Sequence, residues 1–196
     1  MAKVRTELRE NIPPTESFAL QETAINQDLI ETVDLGPFKH KVDKGLPVRK
    51  AAFQLLETLY TNLAQEIDIN RMIEVVVTGL SDTADECVVL NLSILSKMSQ
   101  RSGVVVISAM DSIVTAFEAL FRSHLKLITS KQSQERAQNI LRSVIRVVYI
   151  INNSAELKDQ PSARFDDFYK NNVMANADSK RLYETISSSY KLNSLD

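Results

Sequence analysis

From Pro47 to Tyr190 the apolar residues recur at intervals of three and four, and that helical period restricts the fold more than any other feature of the chain. Pro47 suits the first turn of a helix. Val48, Ala52, Leu55, Leu56, Leu59 and Leu63 then share one face. Asp68 reads as the N-cap of a second helix with Ile69, Met72, Ile73, Val76 and Leu80 as its stripe. A third helix starts near Asp82 and Thr83, where Thr83 and Glu86 have capping-box spacing. It carries Val88, Leu92, Leu95 and Met98 on one side and Cys87, Leu90 and Ile94 on another, so it is sandwiched between neighbours. Gly103 stops it.

A fourth helix runs from about Ala109, with Met110, Ile113, Val114, Phe117, Leu120, Phe121, Leu125 and Ile128. A fifth starts near Ser133, with Ala137, Ile140, Leu141, Val144, Val148 and Ile151. Pro161 sits in a connection. Two shorter helices follow, one with Phe165, Phe168, Tyr169 and Val173, the other with Leu182, Ile186 and Tyr190. Short links make neighbouring helices antiparallel. Pairs that start near 47, 82 and 133 bracket the roughly 40–47-residue period of HEAT-type repeats. The pattern therefore favours an all-α, HEAT-like α-solenoid of antiparallel helix pairs over a closed bundle.

The segment before Pro47 breaks this pattern. Residues 9–28 are polar and contain Pro13-Pro14, which predicts a mobile loop. "LIETVD" and "PFKHKVD" then alternate with period two around Leu35-Gly36, a hairpin signal. A two-residue turn would set Val33 opposite Phe38, Glu31 opposite His40 and Leu29 opposite Val42, with Ile30, Thr32, Lys39 and Lys41 on the other side. Pro37 suits an edge strand. The expected organisation is an N-terminal segment and loop over 1–28, a hairpin over 29–46, a helical domain over 47–190 and a frayed tail over 191–196.

Little in the chain suggests catalysis. Its four glycines never cluster, so no phosphate loop can be built. His40 and His124 lack the neighbours a metal site needs, and no catalytic, cofactor or metal residue is assigned. Cys87 lies in an apolar helix and reads as a buried, inert thiol. Asp82, Asp85 and Glu86 read as an acidic helix start rather than a carboxylate cluster. Lys39, Lys41, Lys44, Arg49 and Lys50 against Asp43 form the one local charge anomaly. It is either an anion-seeking patch or a solvated edge whose lysines discourage aggregation. With no aromatic interleaving beyond Phe38, a protein partner outranks nucleic acid. The net charge of −2, the single cysteine, the charged N-terminus and the lack of a long apolar run predict a soluble intracellular protein that does not enter a membrane.

The stretch "LGPFKHKVDKGLPVRKAAF" closely resembles the C-terminal region of the cullin-associated, neddylation-dissociated proteins, also described as TATA-binding-protein-interacting proteins. The resemblance rests on Gly36, Pro37, Phe38, Lys39, His40, Val42, Asp43, Gly45, Leu46, Arg49, Lys50, Ala51, Ala52 and Phe53. Lys3, Val4, Arg5, Glu7 and Leu8 resemble the segment that directly precedes the hairpin in that family. Three departures stand out. Residues 9–28 are inserted, Lys41 and Lys44 replace a threonine and an aspartate, and the chain corresponds to only the end of a family member.

The resemblance implies a HEAT solenoid whose C-terminal repeats hold the N-terminal region of an unneddylated cullin. A projecting hairpin would enter the adaptor site, compete with the adaptor and substrate-receptor module, and promote its exchange. Val33, Leu35, Gly36, Pro37, Phe38, Lys39, His40, Lys41 and Val42 would then be the partner-binding residues. The remaining N-terminal solenoid, in the same or a separate chain, would be a further partner, and the location cytoplasmic and nuclear. The alternatives are a generic HEAT scaffold with a merely structural hairpin, and a transcription-associated module that binds a TATA-binding protein. An enzyme ranks last.

Overall fold

The computed structural model describes residues 2–34, 36, 39–126, 131–154, 156 and 162–193. Helix α1 spans Ala2–Glu22 and is followed by a 3-10 turn at Gln27–Leu29. Strands β1 (Ile30–Asp34) and β2 (Lys39–Asp43) form a two-stranded antiparallel hairpin. Then come α2 (Leu46–Leu63), α3 (Ile69–Gly79), α4 (Asp85–Arg101), α5 (Gly103–Ser108), α6 (Met110–Lys126) and α7 (Lys131–Asn153). A short α8 (Ala163–Phe168) runs into a π-helical turn at Tyr169–Met174, and α9 covers Ala177–Asn193.

These helices stack as an all-α, HEAT-like solenoid in two layers. In one layer α2, α4, α7 and α9 pack in succession; in the other, α3 packs on α6 and α6 on α8. Cross-layer contacts join α1 to α2, α3 to α4 and α6 to α7. The repeating pairs are therefore α1–α2, α3–α4 and α6–α7, and the hairpin is inserted between the two helices of the first pair. The starts read from sequence near 47, 82 and 133 are those of the second helix in each pair. They fall at Leu46, Asp85 and Lys131, 39 and 46 residues apart.

One continuous core fills the space between the layers. It joins Phe53, Leu56 and Tyr60 of α2 to Met72 and Val76 of α3, Leu92, Leu95 and Met98 of α4, Phe117 and Phe121 of α6, and Val144 and Val148 of α7. Each fully buried side chain of this size contributes roughly 1.5–3 kcal/mol. Helix α4 is buried on two sides, through Val88, Leu92 and Leu95 and through Cys87 and Ile94, as its apolar pattern predicts; on the second side Asn91 is buried and Leu90 only half-buried. Gly79 lets α3 approach it: a Cβ there would lie 2.3 Å from Asn91 Nδ2. The Asp68 carboxylate caps α3 by accepting from the backbone N–H of Asn70 and Arg71, both at 3.1 Å. Pro47 sits in the first turn of α2.

Several expectations are corrected. The loop expected over 9–28 is helix as far as Glu22, with Pro13 and Pro14 inside it. Ile12, Glu16, Ala19 and Leu20 are buried at helical spacing, so burial against α2 outweighs the cost of the prolines. Both prolines face outward, where the carbonyls they leave unpaired can be hydrated. The capping box at Thr83 and Glu86 does not form: α4 starts at Asp85, and its N-cap is Ala84, without a side-chain cap. The nearby Asp82 carboxylate instead binds Arg49 and the Ala84 N–H.

Val48 is 45% exposed, because the inner face of α2 is set by Arg49, Ala52, Phe53, Leu56 and Tyr60. Helix α4 ends at Arg101, and Gly103 opens the short α5 rather than closing α4. Residues 191–193, read as tail, belong to α9. Ile128 and Pro161 lie outside the described residues.

Candidate partner-binding site

Local chemistry builds the hairpin. The Asn26 side chain caps the 3-10 turn by accepting the Asp28 N–H at 3.0 Å. The β1–β2 register pairs Ile30 with Asp43, Glu31 with Val42, Thr32 with Lys41, Val33 with His40 and Asp34 with Lys39. The two-residue turn is thereby corrected. Residues 35–38 lie between the paired ends, and the ladder is shifted by two positions from the expected one. An even shift keeps every side chain on its expected face. Glu31, Val33, His40 and Val42 share one side; Thr32, Asp34, Lys39 and Lys41 share the other.

Gly36 has φ +82°, a left-handed conformation that glycine adopts without strain, and its N–H is accepted by Asp34 Oδ1 at 3.2 Å. Leu35, Pro37 and Phe38, three of the expected binding residues, lie outside the described residues. The other six, Val33, Gly36, Lys39, His40, Lys41 and Val42, are all exposed.

Both faces of this ribbon are open. Every described residue from Glu31 to Val42 is exposed, including the apolar Val33 at 38% and Val42 at 42%. The helical core therefore does not hold the strands. They are fastened at the root instead. Lys44 donates its backbone N–H to the Leu29 carbonyl at 2.9 Å, and Asp43 Oδ1 accepts the Gly45 N–H at 2.9 Å. Glu31, expected opposite His40, stands opposite Val42 and is bonded by Lys44.

The strongest fastening is Arg49, a residue that sequence reasoning placed in the basic patch. Its side chain is 1% exposed and lies 2.8 Å from Asp43 Oδ2 at the end of β2. Its Nε and Nη2 donate to the two oxygens of Asp82, at 3.0 and 3.1 Å, in the turn between α3 and α4. Burial opposes the Arg49 charge, but bonding to Asp82 and Asp43 outweighs it and raises the pKa. Removing one partner of such a buried group costs about 3–5 kcal/mol.

Of the basic patch, Arg49 is thus internal, Lys44 binds Glu31 and Lys50 binds Glu86. Lys39 and Lys41 keep exposed ammonium groups with no ion pair among the described residues. Arg49 sits six positions from Asp43, a faint local hint of an ion pair. Asp82 is 33 positions away and gave no signal at all.

Cys87 lies near this cluster, fully buried, and its thiol is pushed up to about 11, by burial first and then by Asp82. That value keeps it protonated at neutral pH, as expected for an inert thiol. Among the described residues no group of three or more His, Cys, Asp or Glu is placed to hold a metal. Among them, too, no helix is long and apolar enough to cross a membrane.

A HEAT-like solenoid fragment that carries an exposed, root-fastened hairpin belongs to the class of helical-repeat scaffolds. Comparison with known proteins makes the placement specific. The TIP120 family, described as TATA-binding protein interacting (TIP20), matches residues 8–172, and the chain belongs to it. It is 32% identical over 166 residues to cullin-associated NEDD8-dissociated protein 2 of Rattus norvegicus, covering 85% of this chain and 13% of the relative. It is 34% identical over 128 residues to cullin-associated NEDD8-dissociated protein 1 of Arabidopsis thaliana, covering 65% of this chain and 10% of the relative. A third relative, cullin-associated NEDD8-dissociated protein 1, C-terminal part, of Emericella nidulans, is 30% identical over 131 residues, 65% of this chain and 12% of the relative. The chain thus spans a small fraction of the length of these relatives and corresponds to their C-terminal region.

Proposed function

We propose that this chain is the cullin-binding end of a non-enzymatic exchange factor for cullin-RING ubiquitin ligases. Its hairpin would enter the adaptor site on the N-terminal region of an unneddylated cullin, compete with the adaptor and substrate-receptor module, and promote its exchange. The observation that carries this reading is the ribbon itself. Among the described residues its strands are open on both faces, show two apolar valines to solvent, and are fixed to the solenoid at the root alone. A hairpin that merely braced the fold would bury one face. The choice of a cullin is supported by the names of the relatives.

The rest of the solenoid, in the same or a separate polypeptide, is the second partner in this reading, and the setting is the cytoplasm and nucleus. No cofactor takes part. Competition of the adaptor for unneddylated and neddylated cullin, with the N-terminal solenoid supplied, tests the proposal. Wild type should displace adaptor from the unneddylated form only. Phe38→Ala should weaken displacement by roughly 2 kcal/mol with an unchanged melt. An unchanged displacement would remove the hairpin from the mechanism, and a lowered melt would assign Phe38 to the core.

A second reading, binding of a TATA-binding protein, is favoured by the family description alone. Capture of TATA-binding protein but not of cullin by the same preparation would replace the first reading with it.

A further inference from the structure

We infer that Arg49 is a latch that sets the direction in which the hairpin leaves the solenoid, with Asp43 and Asp82 as its two catches. All three are then positioning residues for partner capture. The inference rests on the functional reading above for its consequence, but not for its geometry.

The ladder bonds hold β1 to β2 but say nothing about the angle between ribbon and helices. No buried side chain from Glu31 to Val42 fixes that angle among the described residues. Only Lys44 and Gly45 separate β2 from α2, so the path could pivot there. Two groups act across the pivot. Asp43 Oδ1 accepts the Gly45 N–H, and Asp43 Oδ2 lies 2.8 Å from Arg49 Nη1 as an ion pair. Leu29 packs where a Gly45 Cβ would stand, with its Cδ1 only 3.3 Å away.

Arg49 is itself immobile, because Asp82 grips it with two bonds and Asp82 is also tied to the Ala84 N–H at 2.8 Å. Asp82 sits between α3 and α4, in the next helix pair. The hairpin is therefore oriented by Arg49 of its own α2, which the neighbouring repeat holds in place through Asp82. A buried guanidinium with carboxylates on two sides cannot tilt without losing a bonded charge partner. A ribbon held in its binding pose binds without first having to find it.

The test uses the full chain with spin labels at Thr32→Cys on β1 and Glu74→Cys on α3. Buried Cys87 stays unlabelled. Asp43→Asn removes the hairpin-side charge while leaving the Arg49–Asp82 pair and the amide-competent contact to Gly45. The distance distribution between labels should broaden; the thermal melt falls as well, because Arg49 loses one charge partner, so the distances are read at a temperature where the variant is still folded. If the binding pose is then occupied about one tenth of the time, affinity for cullin falls about tenfold. Asp82→Asn should broaden the distribution as well, and combining it with Asp43→Asn should add little, since both open one latch.

An unchanged distribution in Asp43→Asn overturns the latch whatever the partner assay shows. A broadened distribution with undiminished cullin affinity overturns its role in capture. If wild type itself fails to bind cullin, the functional reading falls, and the label distances alone decide whether the latch exists.

Discussion

Gly79→Ala tests the close approach of α3 to α4. A Cβ at this position would stand 2.3 Å from Asn91 Nδ2, 2.6 Å from Cγ and 2.8 Å from Oδ1. Ordinary contact begins near 3.4 Å, so about 1 Å of separation must be found. Asn91 cannot supply it by swinging outward. It is fully buried, and its Nδ2 is held by the Cys87 carbonyl at 2.9 Å. Either α3 shifts from α4 or the amide bond breaks, an overpacking cost of about 1–3 kcal/mol. Alanine returns less than about 1 kcal/mol of helix propensity, because Gly79 is the last residue of α3. A net loss of about 2 kcal/mol lowers the melting temperature by roughly 4–8 °C in a chain of this size.

Asn91→Ala should relieve the strain. It removes one hydrogen bond worth about 1 kcal/mol, but it also removes Asn91 Oδ1, a buried acceptor with no hydrogen-bond partner. The double variant Gly79→Ala/Asn91→Ala should therefore recover most of the loss, with a favourable coupling of about 1 kcal/mol or more in urea or thermal melts. A Gly79→Ala protein as stable as wild type would refute the close approach. Strictly additive single effects would refute the assignment of the clash to Asn91.

Leu20→Ala should destabilise the protein by about 2–5 kcal/mol, since Leu20 is 5% exposed in the core; a change within about 0.5 kcal/mol in urea melts would return residues 9–22 to a loop. Cys87 makes stability fall at alkaline pH. Its folded pKa of about 11 exceeds the unfolded value near 8.5, so its contribution is complete below the unfolded value and is lost as pH rises toward 11, by about 3 kcal/mol in all. The difference between wild type and Cys87→Ala over pH 8–11 isolates this effect, and a flat difference would contradict it. Lys39→Ala/Lys41→Ala should leave the melt unchanged, slow association with an acidic partner and weaken its salt dependence; a fall in the melt would place these lysines in the fold.

Much of this protein is a local property of its sequence. Helices at 47–190 follow from apolar spacing, because i, i+3 and i+4 residues share a face whatever the helix packs against. The same period marks α4 as two-sided and so buries Cys87. Asp68 caps α3 because its target N–H groups are two and three residues away. The alternation around Gly36 defines the ribbon and both its faces, and the stretch from Gly36 to Phe53 carries the resemblance to the family whose match spans residues 8–172.

Tertiary structure alone decided the rest. Residues 9–22 become helix only because α2 offers Ile12, Ala19 and Leu20 a surface that outweighs Pro13 and Pro14. The ladder register is set by which strand bonds close, and alternation of period two is equally satisfied two positions away. Helices 47 and 82 read as starts of pairs, yet each is the second member of its pair, because period shows that a face is apolar and not what covers it. Arg49 looked like one more surface cation beside Lys50. It became the root of the hairpin because folding brings Asp82 from 33 residues away to face Asp43 across it, and a charge bond between distant residues leaves no periodic trace in the chain.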